Sequence, residues 1–490
     1  MAISFPWFYG SKPLLLFHVS ILLISGLSLG TGTGTGTVDY GSDEVFADVL
    51  RDEAVDRIHQ LSKISDGDGY LERTFLSPAS IRAANLILSW MQDAGLRTWV
   101  DPMGNVHGRT ESVNPTAEAL LIGSHLDTVI DAGMYDGTLG IICAISALKV
   151  LKNTGKLDEL VRPVEVIAFS DEEGVRFQTT FLGSAAIAGI LPESALKISD
   201  KNGVTVEEVL KENSFEATEE SLTQVKYDPK SVWGYIELHI EQGPLLESLG
   251  YPLGVVKGIA GQTRLKVIVR GSQGHAGTVP MFMRQDPMAA SAELIILLES
   301  LCKHPENFLT YDEKCGGFPK ESLTGLVCTV GEISSWPSAS NVIPGQVNFT
   351  IDLRAIDDMA REAIMLEFSN RAQQICNKRM VNCTIDRKHN AEAVKCDPLL
   401  SEQLKYAARS ALGKMSTEAA NYQHEIPVLM SGAGHDSMAM SHLTKIGMLF
   451  IRCRGGVSHS PDEFVLDDDV GAAGLALLKF LQNNMMISVT

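Results

Sequence analysis

The order of apolar and polar positions divides the chain into two kinds of segment. Short, nearly all-apolar runs stand at 118–124, Val164–Phe169, Val232–Leu238 and Ile446–Cys453. Runs of this kind read as strands buried on both faces. Between them apolar residues recur at helical spacing. Ser77-Pro78 opens a helix as cap and first-turn proline, Leu86, Ile87, Trp90 and Met91 line its apolar side, and Gly95 closes it. Further helices are predicted from about Asp136 to Lys152 and from about Asp468 to Gln482, with strands near 96–101 and 104–109. Strands alternating with helices predict an α/β fold, a mixed, mostly parallel sheet covered by helices on both faces.

The middle of the chain has another rhythm. A strand at 263–270 (TRLKVIVR) precedes a helix opened by Asp286-Pro287 and running to about Cys302. Strands at 324–333 and 346–353 follow, then a helix from about Asp358 to Lys378 and a strand near 381–387. That order, β-α-β-β-α-β, is ferredoxin-like. Within 346–353, Val347, Phe349, Ile351 and Leu353 share one face and Asn348 lies on the other. The expected division is one α/β domain at 45–254 and 387–490, interrupted by a lid-like domain at 255–386 with hinges near 254–258 and 386–390.

Composition narrows the class. The 490 residues are 45 % hydrophobic and 21 % charged, values of a globular chain that exclude disorder, collagen and a disulfide miniprotein. A net charge of −19 argues against a nucleic-acid partner. Residues 1–37 are set apart: Lys12, the apolar run Pro13–Leu29 and the GTGTGTGT stretch read as a secretory signal peptide and linker. A membrane anchor is the alternative, although the run is slightly short for a span. No later stretch approaches 18 apolar residues, so no stable membrane span is expected once the leader is removed, and the expected location is the lumen of the endoplasmic reticulum. The eight cysteines form no C-x-x-C pair and are expected as core thiols, with a disulfide possible in an oxidising lumen. Asn348-Phe-Thr350 and Asn382-Cys-Thr384 are glycosylation sequons.

Candidate chemistry stands where the apolar strands end, the place where open α/β sheets bind ligands. Four segments supply it: Gly123-Ser-His125-Leu-Asp127 with Tyr135-Asp136-Gly137, then Asp171-Glu172-Glu173-Gly174, then Glu237-Leu-His239-Ile-Glu241-Gln242-Gly243, then Ser458-His459-Ser-Pro-Asp-Glu463. Each alone has a plainer account: a structural histidine, a helix cap at Asp136, a solvated acidic loop. Together, three histidines and two acids at equivalent strand ends make a two-metal site. His59, His107, His304, His389, His424 and His442 have no motif around them.

These residues carry a resemblance. Through GSHLDTV, YDGTLG, DEEGVRF, ELHIEQGP, GSQGHAGTVPM, SNVIPG, DLR, GAGHDSM and SHSPDE, over about 45–485, the chain resembles the M20 peptidase-like metalloamidohydrolases, in the subgroup that cleaves N-carbamoyl and ureido compounds. The resemblance implies two divalent ions, manganese first, with zinc or cobalt also compatible with such ligands. One would be held by His125, Asp136 and His239, the other by Asp136, Glu173 and His459. It implies Glu172 as general base and Asp127 as the residue orienting His125. It implies that His275 enters the partner subunit's site of a homodimer built through the lid domain and stabilises an oxyanion there, and that Asn341 and Arg354 hold the substrate's carboxylate and ureido group. Gln262, Gly434 and His435 are further substrate candidates. The implied substrate is a small ureido acid, allantoate first, with N-carbamoyl-β-alanine and ureidoglycolate as alternatives. A binding protein that has lost its metals is the rival from another class, disfavoured because all five ligand positions hold competent residues.

Overall fold

In the computed structural model, which describes residues 48–308, 325–415 and 425–486, the described residues form two main sheets and a two-stranded ribbon, Gly274–His275 with Val342–Ile343. The strands are β1 (Arg97–Val100), β2 (Val106–Arg109), β3 (Ala119–His125), β4 (Val164–Phe169), β5 (Val232–Ile240), β6 (Leu253–Ile259), β7 (Gly261–Arg270) and β8 (Gly274–His275). After them come β9 (Val327–Thr329), β10 (Ile333–Trp336), β11 (Val342–Ile343), β12 (Gln346–Ala355), β13 (Asn382–Ala391), β14 (Val394–Lys395), β15 (Val428–Ser431) and β16 (Ile446–Ile451). The leader at 1–37, Cys315 and His424 lie outside the described residues.

The large sheet has nine strands in the order β1-β2-β4-β3-β5-β16-β6-β14, with β15 also on β6. Its centre, β4-β3-β5-β16, is parallel, and β1, β2, β6 and β14 add antiparallel flanks. Side chains alternate between two cores, as a period of two requires. Leu120, Ile122, Val164, Val166 and Ala168 join the core beneath the helices Pro78–Asp93, Thr138–Asn153, Pro398–Met415 and Asp467–Asn484. Leu121, Ile167, Phe169 and Tyr235 join the core on the opposite face. The predicted start of the Pro78 helix stands, since the Ser77 side chain accepts the Ser80 N–H at its N-terminus.

The small sheet runs β10-β12-β7-β13, with β9 also on β12, and every pairing is antiparallel. This is the strand order of a β-α-β-β-α-β unit. The helices Pro287–Lys303 and Asp358–Lys378 cover one face, packing on Leu265, Val267, Val269, Phe349, Ile351 and Leu353. Asp286 and Asp357 cap them. A disulfide joins Cys376, in the last turn of the second helix, to Cys383 in β13. Asn348 lies on the face away from that core, half-buried, where its Oδ1 accepts the Gln346 side chain at 2.9 Å.

Two expectations are corrected. The strand expected at 324–333 is two short strands, because the chain leaves the ladder near Gly331 and the Glu332 carbonyl accepts the Thr350 N–H on its own. The domain boundary expected at 254–255, and the hinges at 254–258 and 386–390, fall inside hydrogen-bonded strands. β6 pairs with β16 in the large sheet, and β13 pairs with β7 as far as Ala391. The chain therefore crosses between sheets at Ala260 and returns through Glu392–Ala393. Ala393 is held there by its N–H to the Asp358 carboxylate at 3.1 Å. Among the described residues no helix is long and apolar enough to cross a membrane.

Candidate metal centre

Four strand ends of the large sheet converge on one carboxylate. His125 ends β3, His239 is the penultimate residue of β5, Glu172 and Glu173 follow β4, and His459 follows β16. Asp136 sits in the turn before the helix Thr138–Asn153. That turn needs glycine at 137, where φ is +67° and a Cβ would lie 2.5 Å from both His125 Nδ1 and the His125 carbonyl. The absence of a side chain there brings Asp136 against His125.

Asp136 Oδ1 lies 3.4 Å from His125 Nε2 and 3.0 Å from His239 Nε2, and these two nitrogens are 3.4 Å apart. Asp136 Oδ2 lies 3.3 Å from His459 Nε2, which is 3.2 Å from Glu173 Oε1. Both buried histidines place Nδ1 on a backbone carbonyl, His125 on Asp127 at 3.0 Å and His239 on Ile240 at 2.9 Å. With the proton on Nδ1, each presents an Nε2 lone pair to the same carboxylate oxygen, and that buried oxygen has no hydrogen-bond donor. Acceptors converging on acceptors call for a cation between them, a metal ion or, in its absence, protons on these nitrogens. His125, Asp136 and His239 form one group able to hold a metal, and Asp136, Glu173 and His459 form another, so Asp136 reaches both.

The electrostatics agree. Burial opposes charge on His125, yet hydrogen bonds to Asp127 and Asp136 carry its pKa well above the ordinary value. Burial would raise Asp136, and its three histidines hold it well below the carboxylate range. Hydrogen bonds to Asp136 and Glu173 lift His459 to about 10. A field that holds protons this firmly also favours a divalent ion. Burial lifts Glu172 well above the carboxylate range, with His125 opposing and Glu173 adding. His459 is the open side of the cluster, its side chain 49 % exposed against 2 % for His125 and His239.

Asp127 meets His125 with both its carbonyl and its carboxylate, and does more. The nearer partner of His125 Nδ1 is the Asp127 carbonyl, and the carboxylate stands at 3.6 Å. That carboxylate accepts the backbone N–H groups of Glu172 at 2.9 Å and Glu173 at 3.1 Å. Asp127 thus fixes the loop that carries both glutamates.

The substrate candidates separate. His435 is buried with its ring centroid 4.4 Å from that of His239. Ser431 Oγ donates to the Ala433 carbonyl and lies 2.7 Å from His435 Nε2. It therefore accepts the Nε2 proton and leaves Nδ1 as an acceptor. Gly434 precedes it in the turn before the short helix Asp436–Met440, which Glu237 anchors through the Ser437 N–H and hydroxyl. Arg354, in β12, reaches this turn from the small sheet, donating to the Gly432 carbonyl at 2.7 Å while its fork engages Asp352. Gln262 is the register partner of Arg354 on the small sheet and accepts from Arg264. His275 and Asn341 adjoin on the β8–β11 ribbon, with the Ala276 N–H on the Asn341 carbonyl. No hydrogen bond among the described residues joins that ribbon to the cluster.

Gln242 was not foreseen. Its Nε2 donates to Asp136 Oδ2 at 3.0 Å, its Oε1 is buried with no partner among the described residues, and its φ is +56°. A non-glycine residue held in the left-handed region beside a ligand marks a functional position. The one signal in the sequence was its place three residues after His239.

Three histidines and two carboxylates at sheet ends, beside a buried glutamate, define a metal-dependent hydrolase. Residues 121–483 match Peptidase family M20/M25/M40, and the chain belongs to that family. It is 69 % identical over 442 residues to "Allantoate deiminase 2" of Glycine max, covering 90 % of this chain and 91 % of that one. It is 36 % identical over 418 residues to an "N-carbamoyl-L-amino-acid amidohydrolase" of Pseudomonas sp. (strain NS671), covering 84 % of this chain and 94 % of that one. The solved structure described as AtUAH in complex with glyoxylate aligns with a TM-score of 0.67 at 30 % identity, over 90 % of this chain and 99 % of that one.

Proposed function

We propose that this chain hydrolyses allantoate, releasing ammonia and carbon dioxide and leaving ureidoglycine, as a step of purine catabolism. The observation that carries the reading is Asp136, whose two oxygens meet His125 and His239 on one side and His459 on the other. The 69 % identical relative supports allantoate over the N-carbamoyl amino acids named for the 36 % identical one.

A metal pair would be held by His125, Asp136, His239, Glu173 and His459, with manganese the expected ion and zinc or cobalt compatible with the same donors. When bound, it supplies Lewis acidity that activates water and polarises the ureido carbonyl. Glu172, fixed through its own N–H by Asp127, takes the proton released by water and passes it to the leaving nitrogen. Its buried setting, which raises its affinity for a proton, suits that task. Arg354 turns its guanidinium from Asp352 and Gly432 to the substrate carboxylate, a pairing that fits its fork. His435 Nδ1 and Gln242 Oε1, both acceptors without partners among the described residues, receive ureido N–H groups. Substrate arrives past the exposed His459.

In this reading the small sheet is a lid and the site of homodimerisation, and His275 with Asn341 completes the partner's site and steadies the developing oxyanion. The leader at 1–37 directs the chain to the endoplasmic reticulum. A glycan is placed on Asn382, which is exposed at the start of β13, rather than on half-buried Asn348 in mid-sheet.

The test strips metal with a chelator, refills with manganese, zinc or cobalt, and follows ammonia from allantoate, N-carbamoyl-β-alanine and ureidoglycolate. Ammonia from allantoate alone, and only after refilling, supports the reading. Turnover of another ureido acid instead keeps the centre and overturns the substrate. Silence on all three with metal bound overturns the activity.

A further inference from the structure

Five cysteines carry free thiols among the described residues. Cys143, Cys396 and Cys453 are buried in the cores of the large sheet. Cys302 and Cys328 differ, being half-buried against the core of the small sheet and close enough for each thiol to shift the other's pKa. Cys302 lies in the last turn of the helix Pro287–Lys303, and Cys328 is the middle residue of β9. Cys328 Sγ also lies 3.6 Å from the Leu298 carbonyl, the helical acceptor one turn before Cys302. The other helix of the same unit repeats the arrangement in oxidised form, with Cys376 in its last turn bonded to Cys383 in the strand that follows.

We propose that Cys302 and Cys328 form a second disulfide, which ties the first helix of the small sheet to β9 as Cys376–Cys383 ties the second helix to β13. The bond would close the chain into a loop across residues 303–327. It would also anchor the strand beside Arg354, because Cys328 pairs with Leu353 and Val327 with Arg354.

The oxidant is a small-molecule or protein disulfide. Hydrogen bonding from Cys302 lowers the pKa of Cys328 and raises that of Cys302, so Cys328 ionises first. Its thiolate attacks the donor, forming a mixed disulfide and releasing one thiolate. Cys302 then loses its proton and attacks the Cys328 sulfur, releasing the second. Two electrons pass to the donor, which leaves as two thiols.

The experiment incubates the reduced full chain with glutathione disulfide, blocks remaining thiols with N-ethylmaleimide, digests without reduction and maps linked peptides by mass spectrometry. The expected result is a Cys302–Cys328 peptide in the sample that contains Cys376–Cys383. Alkylated Cys302 and Cys328 in a sample where Cys376–Cys383 has formed would overturn the proposal, as would either residue linked to Cys315. Thermal unfolding gives a second readout. Oxidation should raise the midpoint of the native chain by several degrees more than that of Cys302→Ser or Cys328→Ser, and an equal rise in all three would count against it. Neither measurement depends on the substrate or on where the protein resides.

Discussion

Glu463 holds Asp136 by its backbone: one carboxylate oxygen accepts the Asp136 N–H at 3.1 Å and the Tyr135 N–H at 2.9 Å. Its other oxygen lies 3.1 Å from the Ser458 hydroxyl, which is itself 3.2 Å from Asp136 Oδ2. The segment that supplies His459 therefore also sets the residue lying between the two ligand groups. Glu463→Ala should lower metal affinity by about 10–100-fold, the usual effect of losing an outer-shell partner. Glu463→Gln keeps an oxygen for both N–H groups and should lose much less. Metal titration by calorimetry, with bound metal measured by mass spectrometry, decides this. Unchanged affinity in the alanine variant would remove Glu463 from the centre.

Glu172→Gln removes the proton acceptor and leaves the metal ligands in place. Turnover should fall by roughly 10²–10⁴-fold, the range for a general base, while metal content and substrate affinity stay near native. Full turnover in this variant would exclude Glu172 as the base.

Arg354 separates binding from chemistry. A charge-assisted hydrogen-bonding group is worth about 1.5–3 kcal/mol, so Arg354→Ala should raise KM by roughly 10–100-fold, with a smaller effect on kcat. Arg354→Lys should recover little, because an ammonium lacks the fork. Steady-state kinetics on allantoate test both, and a change confined to kcat would place Arg354 elsewhere in the mechanism.

His107 gives a pH signature of stability. It is buried between Asp101 and Glu165, at 3.3 and 2.9 Å, and Tyr227 and Arg109 also bind Glu165. Burial alone would lower its pKa, but hydrogen bonds to Asp101 and Glu165 carry it from 6.5 to about 9. A folded pKa above the unfolded one gives stability that is complete below pH 6.5 and lost as pH rises through about 9. Urea unfolding should show the native chain losing about 1–3 kcal/mol over that window, and His107→Gln should flatten the slope. Parallel slopes would mean that His107 does not titrate there.

The two sequons should differ. In chain expressed through a eukaryotic secretory pathway, Asn382→Gln should abolish a glycosidase-sensitive mass shift and Asn348→Gln should leave it. Asn348 lies in the interior of the small sheet, paired with Ser334 and Ile268, and the transferring enzyme needs an accessible backbone. Loss of the shift in Asn348→Gln would reverse the assignment.

The sequence showed most plainly what depends on short-range pattern. Val164–Phe169 is a strand to the residue because it is apolar at every position but Glu165 and bounded by Pro163 and Ser170. His125, His239 and Glu173 were legible because they stand at or just beyond the ends of such strands, and Asp136 and His459 because they lie in the motifs that follow. The boundary at Ala260 was not, because β6 and β7 make one unbroken extended run and only the Ala260 N–H, donated to the Ser431 carbonyl, marks the change of sheet. His107 looked idle because its partner Glu165 is 58 residues away. Gln242 went unnamed because sequence order says nothing about which amide turns toward Asp136, which its hydrogen bond to Oδ2 shows.

The two crossings between the sheets are themselves paired neighbours. Ile259 lies opposite Val394 on one side of Ala260, and Gln262 lies opposite Ala391 on the other. Sliding would break these pairs, so the lid motion proposed above would be a torsion about an axis through Ala260 and Glu392–Ala393. Arg354 stands next to that axis, opposite Gln262, while Gln346 stands at the far end of the same strand, opposite Arg270. With about 3.3 Å per residue, a turn of about 10° would displace Arg354 by about 1 Å and the far end by about 6 Å. In that motion Arg354 would be a near-stationary post, and the ribbon carrying His275 and Asn341, beyond the far end, would make the long sweep.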